Sequence, residues 1–461
     1  METQETAAAA QPDAGQRPLF TNADLRRLLL PLIGEQFLVI AVGMADTMMV
    51  SCLGENAVAG VTLIDMLNNF IFHIFSALAT GGAVVASQFL GARRLESARR
   101  SALQLIWVNL ALSLLLLAFS ELGSTWIIRG LFGEVSGEVF ASATTYFRVT
   151  ALSFPLFAVF CSCGALIRSQ NAARLTLYAA VVSNVINVVG NALLIHGLGL
   201  GVAGAASATV VARLVAMAML VWYLRDRSRP IYLSLRENPG LEPQLIRRIL
   251  RIGVPSGVES GIFQFGRVIV VAVIAAFGST QLAANAVANN IDYLGCLVGA
   301  AFCLAVITVV GQAVGAGDVE VVRFYVRKMM KLACIWHLVW NVVVFAITPL
   351  CLACYTLSDE TYWLTVKLIL IHNGIGMFIW PWTFVFPNAL RAANDVRFMM
   401  VVSVASMVLA RVGGSYLLGG ANFLGWGALG VWWAMIADWL VRIVCFVWRY
   451  RSGRWLRHFR D

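Results

Sequence analysis

The sequence predicts an all-α polytopic membrane protein, with twelve transmembrane helices in two six-helix lobes related by a parallel internal repeat. Three observations predict it. The 461 residues are 60% hydrophobic and 13% charged, with a mean hydropathy of +0.79, outside the range of a soluble domain. Twelve apolar stretches reach the length, about 20 residues, that crosses ~30 Å of hydrocarbon. These stretches fall into two sets of six on either side of one long polar connection.

In chain order, residues 1–20 ("METQETAAAAQPDAGQRP" and the next two) lack a basic n-region followed by an apolar core and a cleavage site. They read as a disordered cytoplasmic tail, which makes the first span the insertion signal. The N-lobe takes residues 21–224, with spans near 28–54, 57–90, 101–120, 143–168, 174–197 and 202–224. Residues 225–249, within the Arg- and Pro-rich run "LRDRSRPIYLSLRENPGLEPQLIRRILR", form a cytoplasmic linker. The C-lobe takes 250–449, with spans near 250–278, 281–313, 329–349, 362–392, 397–420 and 427–449, and 450–461 is a basic tail. Pro155 in the fourth span, and Pro381 and Pro387 in the tenth, should interrupt the helical hydrogen-bond ladder and bend those helices.

Orientation follows from the loops. Arg26 and Arg27, Arg93 to Arg100, Arg168 and Arg174, the linker arginines, Arg323 to Lys328, Arg391, Arg397 and the tail fall on alternate connections. The opposite loops hold almost no Lys or Arg, with Arg129, Arg148 and Lys367 as exceptions. Both termini and the linker are therefore expected on the cytoplasmic side of a bacterial-type cytoplasmic membrane. The net charge of +10 is accounted for by topology, and no nucleic-acid partner is needed. The nine cysteines show no metal-ligand spacing and read as packing residues.

A shift of 224 residues aligns Pro31 with Pro255, Glu35 with Glu259, Gly54 with Gly278, Gln88 with Gln312, Gly91 with Gly315 and Arg99 with Arg323 without a gap. Further on, "ALIRSQNAAR" meets "ALRAANDVR" at one residue less. Six spans per copy give both copies the same orientation, so an axis along the membrane normal relates them. Such an arrangement places a cavity between two lobes and suits alternating access.

Buried charge points to chemistry, because an ionisable group in a spanning helix marks a functional site by default. The first half carries Glu35, Asp46 and Asp65 against Arg213, with Arg148 nearer the outer surface. The second carries Glu259, Asp292 and Asp438 against Arg267, Arg411 and Arg442, a set able to neutralise itself. The excess acid places the proton or sodium site in the N-lobe. Asp46, Asn187, Asn191 and Thr209 fall at a common depth of ~9–15 Å below the outer surface at helical rise, and Asn187 and Asn191 share a helix face. One carboxylate, two amide oxygens and a hydroxyl suit a small cation, or tune a protonatable Asp46. A salt bridge to Arg213 or ordinary interhelical hydrogen bonding is the plainer account of the same residues.

"PLIGEQFLVIAVGMADTMMVSCLG", "SQFLGARR", "NVINVVGNALLIHGLGLGVAGAASATVVAR", "GVPSGVESGIFQFG" and "GALGVWWAMIADWLVR" resemble the multidrug and toxin extrusion (MATE) family over residues 20 to 455. The resemblance implies a V-shaped bundle of two lobes that exports organic, often cationic, compounds against inflowing protons or sodium ions. It also implies that Asp46, Asn187 and Thr209 stand at positions used for cation coupling. Many members have a second aspartate where this chain has Asn191, so a single titrating carboxylate is the simpler expectation here. Some have an acid in the tenth helix, where this chain reads "FIWPWTFVF".

Other candidates carry two readings. Glu35 and Glu259, one turn after Pro31 and Pro255, either line the inward mouth as substrate-attracting groups or fix the helix start. Asp65 and Asp292 either contact substrate or are satisfied by Asn68, Asn69, Asn289 and Asn290 beside them. His73, His337 and His372 stand apart in apolar segments and read as satisfied core histidines. The aromatics of the tenth and twelfth spans offer cation-π faces, though most will pack or face lipid. No metal beyond a sodium ion at Asp46 and no cofactor beyond H+ or Na+ is expected. The expected partners are small organic substrates and membrane lipids, and the chain is expected to be a monomer. A lipid or lipid-linked saccharide flippase of the same broad superfamily is the alternative, although the lipid-linked saccharide calls for a basic cavity. An enzyme is disfavoured by the lack of any HExxH, GxSxG or paired-histidine constellation, and a nucleotide-driven pump by the lack of a Walker A sequence.

Overall fold

The computed structural model describes residues 18–133, 136–234, 240–420 and 423–458. Among these residues eleven helices are each long and apolar enough to cross a membrane, and a twelfth span is a pair of shorter helices meeting at 48°. In order they are α1 (Asn22–Ser51), α2 (Glu55–Gly91), α3 (Leu95–Phe132), the bent α4 (Gly137–Ala151 and Phe154–Ser169), α5 (Ala173–Gly197) and α6 (Gly201–Tyr223). The second half has α7 (Pro243–Ala275), α8 (Ser279–Gly315), α9 (Val319–Ala353), α10 (Asp359–Ala392), α11 (Val396–Gly419) and α12 (Gly427–Arg451).

Local chemistry sets the helix ends and bends. Thr21 and Asp24 cap α1 reciprocally, and Ser136, Asp318 and Ser358 accept from the first turns of α4, α9 and α10. The bend in α4 comes at Leu152 and Ser153, immediately before Pro155 opens the second limb. In α10, Pro381 begins a wide π-helical turn (Pro381–Val385), and Pro387 stands at the start of the segment after it. Similar wide turns, with no proline, run over Ala192–Gly197 in α5 and Met407–Gly413 in α11. By contrast Pro31, Pro255 and Pro349 are accommodated inside continuous helices.

Most of the expected disordered tail, residues 1–17, lies outside the described residues, as do linker residues 235–239 and tail residues 459–461. The described parts are more ordered than the sequence suggested. Phe20 is buried, donates its backbone N–H to the Tyr325 hydroxyl at 2.8 Å and meets that ring edge-on. Residues 243–249 of the expected linker already belong to α7, with Ile249 buried. Trp455 in the basic tail stacks on Tyr450 and is fully enclosed. An aromatic or branched side chain beside a large apolar bundle gains too much by burial to stay in water, whatever the polarity of its neighbours.

The repeat is most visible where the halves meet, at the bundle end that carries the described chain termini. There α2 and α8, the most enclosed spans with 67% and 72% of their apolar windows buried, cross backbone against backbone. A Cβ on Gly91 would lie 1.9 Å from the carbonyl oxygen of Gln312, and one on Gly315 would lie 1.9 Å from that of Gln88. The glutamine side chains complete the exchange: Gln88 donates to the Ala392 carbonyl at 2.8 Å, and Gln312 to the Ser169 carbonyl at 2.7 Å. Arg248 adds a bond to Gln88 at 2.9 Å. Small residues permit close helix approach where hydrocarbon supplies no hydrophobic drive, and the amides then find partners that lipid lacks.

Gly315→Ala should force the α2–α8 crossing apart, at a cost of about 1–3 kcal/mol. Backbone amide exchange in the last two turns of α2 and α8 is expected to rise roughly five-fold or more. Unchanged exchange in a well-folded variant would show that the crossing is loose.

Candidate functional site

Asp46 comes to the site on the last turns of α1, and α5 packs along that helix with Asn184 donating to the Leu38 carbonyl at 3.3 Å. Asn191 donates its Nδ2 to Asp46 Oδ1 at 2.8 Å and lies 3.4 Å from Asn187 Oδ1. Asn187 in turn donates to Thr209 Oγ1 at 3.1 Å, and Thr209 donates to the Ala205 carbonyl at 3.1 Å. The four residues singled out by depth thus lie on one hydrogen-bonded chain joining α1, α5 and α6. Gly190 allows the close approach, since a Cβ there would touch that of Ala208 at 3.0 Å. The wide turn of α5 begins at the residue after Asn191, the kind of local widening that recurs at functional sites.

Within this chain one acceptor is idle. The Oδ1 atom of Asn191 is buried and has no hydrogen-bond partner among the described residues. Its orientation is fixed by the network, because turning the amide over would aim its oxygen at the Asp46 carboxylate. An unpaired buried acceptor costs free energy, so a carboxylate beside an orphaned amide oxygen is a place that gains from a cation.

The neighbouring charges narrow the balance. Glu35 accepts from Thr176 at 2.7 Å and pairs with Arg168 at 3.5 Å. Asp65 accepts from the Tyr146 hydroxyl at 3.1 Å and not from Asn68, whose amide goes to Thr150 at 3.1 Å. Arg213 makes no ion pair with Asp46 among the described residues. It bonds Ser153 and lies over the Phe72 ring at 4.2 Å. With Glu35 neutralised and Arg148 turned to Ser124 at 3.0 Å, Asp46 and Asp65 remain against the guanidinium of Arg213, which leaves a surplus of one carboxylate at this depth.

The second half pairs its acids differently from the sequence reading. Glu259 accepts from Arg391 at 2.8 Å and from Ser403 at 2.8 Å, matching Glu35–Arg168 across the repeat. Asp438 is fully buried, bonds Ser406 and Arg442 (2.9 Å to the latter) and lies 3.9 Å from Arg411. Asp292 takes His372 at 2.9 Å and the Cys296 thiol at 3.2 Å, while Arg267 turns to Tyr293. Cys296 is therefore not a simple packing residue, and His372 is a buried histidine satisfied by Asp292 and Asn373. His73 and His337 make no contact with Asp46 among the described residues, and His337 stacks on Trp380. The i, i+4 spacing of Asp292 and Cys296 was a visible signal; the histidine came from a distant span and had none. A cavity of about 680 Å³ lies elsewhere, between Phe70, Ile74, Leu78, Val254 and Phe265. Its walls are apolar and hold none of these groups.

Comparison with known proteins gives the same architecture. The MatE family model matches residues 31–193 and 255–417, once in each half, at the 224-residue offset of the internal repeat. The chain is 27% identical over 467 residues to the uncharacterized transporter YisQ of Bacillus subtilis, covering 98% of both chains. It is 25% identical to a probable multidrug resistance protein NorM of Thermotoga maritima, covering 94% of this chain and 92% of the relative. A solved MOP superfamily transporter from Pyrococcus furiosus, reported with reversed polarity of its binding pocket, superposes with a TM-score of 0.85 at 22% identity over 93% of this chain and 96% of that one. An outward-facing multidrug resistance MATE family transporter gives 0.85 at 21% identity, covering 94% and 96%.

The two kinds of buried acid should respond differently to neutralisation. Asp438→Asn strands Arg411 and Arg442 in the bundle and is expected to cost about 3–5 kcal/mol, seen as a lowered thermal midpoint and lost monodispersity in detergent. Asp46→Asn should fold as the wild type does. An Asp438→Asn protein of unchanged stability would contradict the assignment.

Proposed function

Because the chain belongs to the MatE family of multidrug efflux transporters, we propose that it is a secondary active antiporter. In this reading it exports organic, cationic compounds in exchange for inflowing protons or sodium ions, by alternating access between its two halves. The reading rests on one arrangement: the Asp46 carboxylate beside the unpartnered Asn191 oxygen, in the half that carries the surplus acid.

The residues suggest how an ion is felt. A proton arriving on Asp46 Oδ1, or a sodium ion shared between Asp46, Asn191, Asn187 and Thr209, competes with the Asn191 N–H for the same carboxylate oxygen. The amide is released or turned, and α1 loses its tie to α5 and α6. Neutralising the carboxylate also lowers the cost of placing it in a dry bundle, so the ion-loaded half is free to close around Asp46. A cationic substrate and the coupling ion then exclude one another electrostatically, which is what exchange requires. The contacts of Gln88 and Gln312 draw the halves together at the terminal end, which supports access to Asp46 from the opposite end. The clustering of Lys and Arg on the terminal side supports a cytoplasmic placement of that end.

Glu35 and Glu259 act in this account as equivalent latches, through Arg168 and Arg391, and Asp65 as a second acid held by Tyr146. The runner-up, a lipid or lipid-linked saccharide flippase, would draw instead on Arg267 in the second half.

The decisive preparation is the protein in liposomes loaded with a fluorescent organic cation, given a proton gradient and then a sodium gradient. One of the two gradients is expected to drive efflux, and Asp46→Asn to reduce it to the protein-free background. Gradient-driven efflux retained by that variant would refute the coupling role of Asp46; no efflux under either gradient would shift the reading to the flippase.

A further inference from the structure

We propose that Asp292, Cys296, His372 and Asn373 form a binding site for a divalent transition-metal ion of the zinc class, inside the second half and separate from Asp46. The carboxylate oxygen, thiol sulfur and imidazole nitrogen of the first three lie within 4.8 Å of one another. His372 Nδ1 stands 2.9 Å from Asp292 Oδ1 and 2.9 Å from Asn373 Oδ1. Cys296 Sγ, one turn along α8 from Asp292, stands 3.2 Å from the same carboxylate oxygen. Three donors, one nitrogen, one sulfur and one oxygen, thus converge from two helices, with the Asn373 oxygen beside the imidazole nitrogen as a fourth.

Bond lengths of ~2.0–2.3 Å in a tetrahedral site put neighbouring donors roughly 3.3–3.6 Å apart. The observed 2.9 and 3.2 Å are the shorter separations of hydrogen bonds, so an expansion of a few tenths of an ångström replaces bridging protons by a metal. On binding, the thiol proton leaves to solvent and the imidazole proton shifts from Nδ1 to Nε2. One carboxylate and one thiolate then balance the two positive charges. Sulfur and imidazole donors select zinc, cobalt or cadmium over sodium or magnesium, so this centre differs in kind from the all-oxygen set around Asp46.

Asn373 is an independent pointer. Its side chain is 2% exposed, its Oδ1 faces His372, and its Nδ2 is buried with no partner among the described residues. The amide therefore gives up a hydrogen bond to hold its oxygen at this place. Gly295 makes room behind it, since a Cβ there would fall 2.6 Å from Asn373 Nδ2. Trp432 and Trp439 meet the imidazole ring at 76° and 75° and fix its plane. The Asp292 side chain is 18% exposed against 5% for His372, so an ion enters past the carboxylate. Arg267, held over Tyr293, is the neighbouring cation such an ion must tolerate.

The test uses the full chain in detergent, purified with any affinity tag removed, titrated with Co2+ alone. Wild type is expected to bind it with the visible d–d bands of four-coordinate cobalt and a near-ultraviolet thiolate charge-transfer band, both displaced by Zn2+. Cys296→Ser, nearly isosteric, should abolish the charge-transfer band, and His372→Asn should weaken binding at least about ten-fold. Asp46→Asn should leave the spectrum unchanged, which separates this site from the coupling role. Absence of the bands in wild type, or a charge-transfer band surviving in Cys296→Ser, would leave the cluster as a buried hydrogen-bonded pair and overturn the proposal.

Discussion

Hydrocarbon does not solvate a charge, and the pairing of most acids inside the bundle follows from that constraint. Glu35 is held by Arg168, Glu259 by Arg391, Asp438 by Arg442 and Arg411, and Asp292 by His372. Apart from Asp438–Arg442, an i, i+4 pair within α12, each pair joins two spans, so the electrostatic requirement also fixes which helices are neighbours and how they are rotated. Against that background Asp46 and Asp65 differ, since their protein partners are a neutral amide and a neutral hydroxyl, and of the two Asp46 is the one bonded to an amide whose own oxygen is unpartnered among the described residues.

The same scaffold appears twice with different fillings. The reciprocal contacts of Gly91, Gln88, Gly315 and Gln312 hold the halves in a nearly symmetric lock. The glutamate–arginine latches are also duplicated. Yet where the first half joins α2 to α4 through Asn68 and Thr150, the second joins α8 to α10 through Asp292, His372 and Asn373. A neutral hydrogen bond has become a charged, metal-ligating cluster at the corresponding place. Symmetry is thus kept where the halves touch and abandoned where each half does its own chemistry.

Much of the fold was legible because span length, charge placement and helical rise are one-dimensional properties. Twelve spans, the repeat, the α4 bend, the interrupted ladder of α10, and the common depth of Asp46, Asn187, Asn191 and Thr209 all depend on counting along the chain. Partner choice does not. Tyr146 reaching Asp65, or His372 reaching Asp292, depends on the rotation of helices some 80 residues apart, and nothing in local spacing encodes it. Arg168 and Arg391 are intermediate: the repeat set them in equivalent places, but their loop-like surroundings made them look like topology signals. Phe20, Ile249 and Trp455 were misjudged because polar neighbours masked single apolar anchors.

The central claim is that one carboxylate, Asp46, takes up the coupling ion. It is tested most directly by infrared difference spectroscopy of the purified protein, following carboxyl stretching as protons and then sodium ions are added. One carboxyl change is predicted in wild type, a protonated C=O band or a sodium-shifted carboxylate band, and none at that frequency in Asp46→Asn. The same change persisting in the variant would place the ion elsewhere and contradict the account.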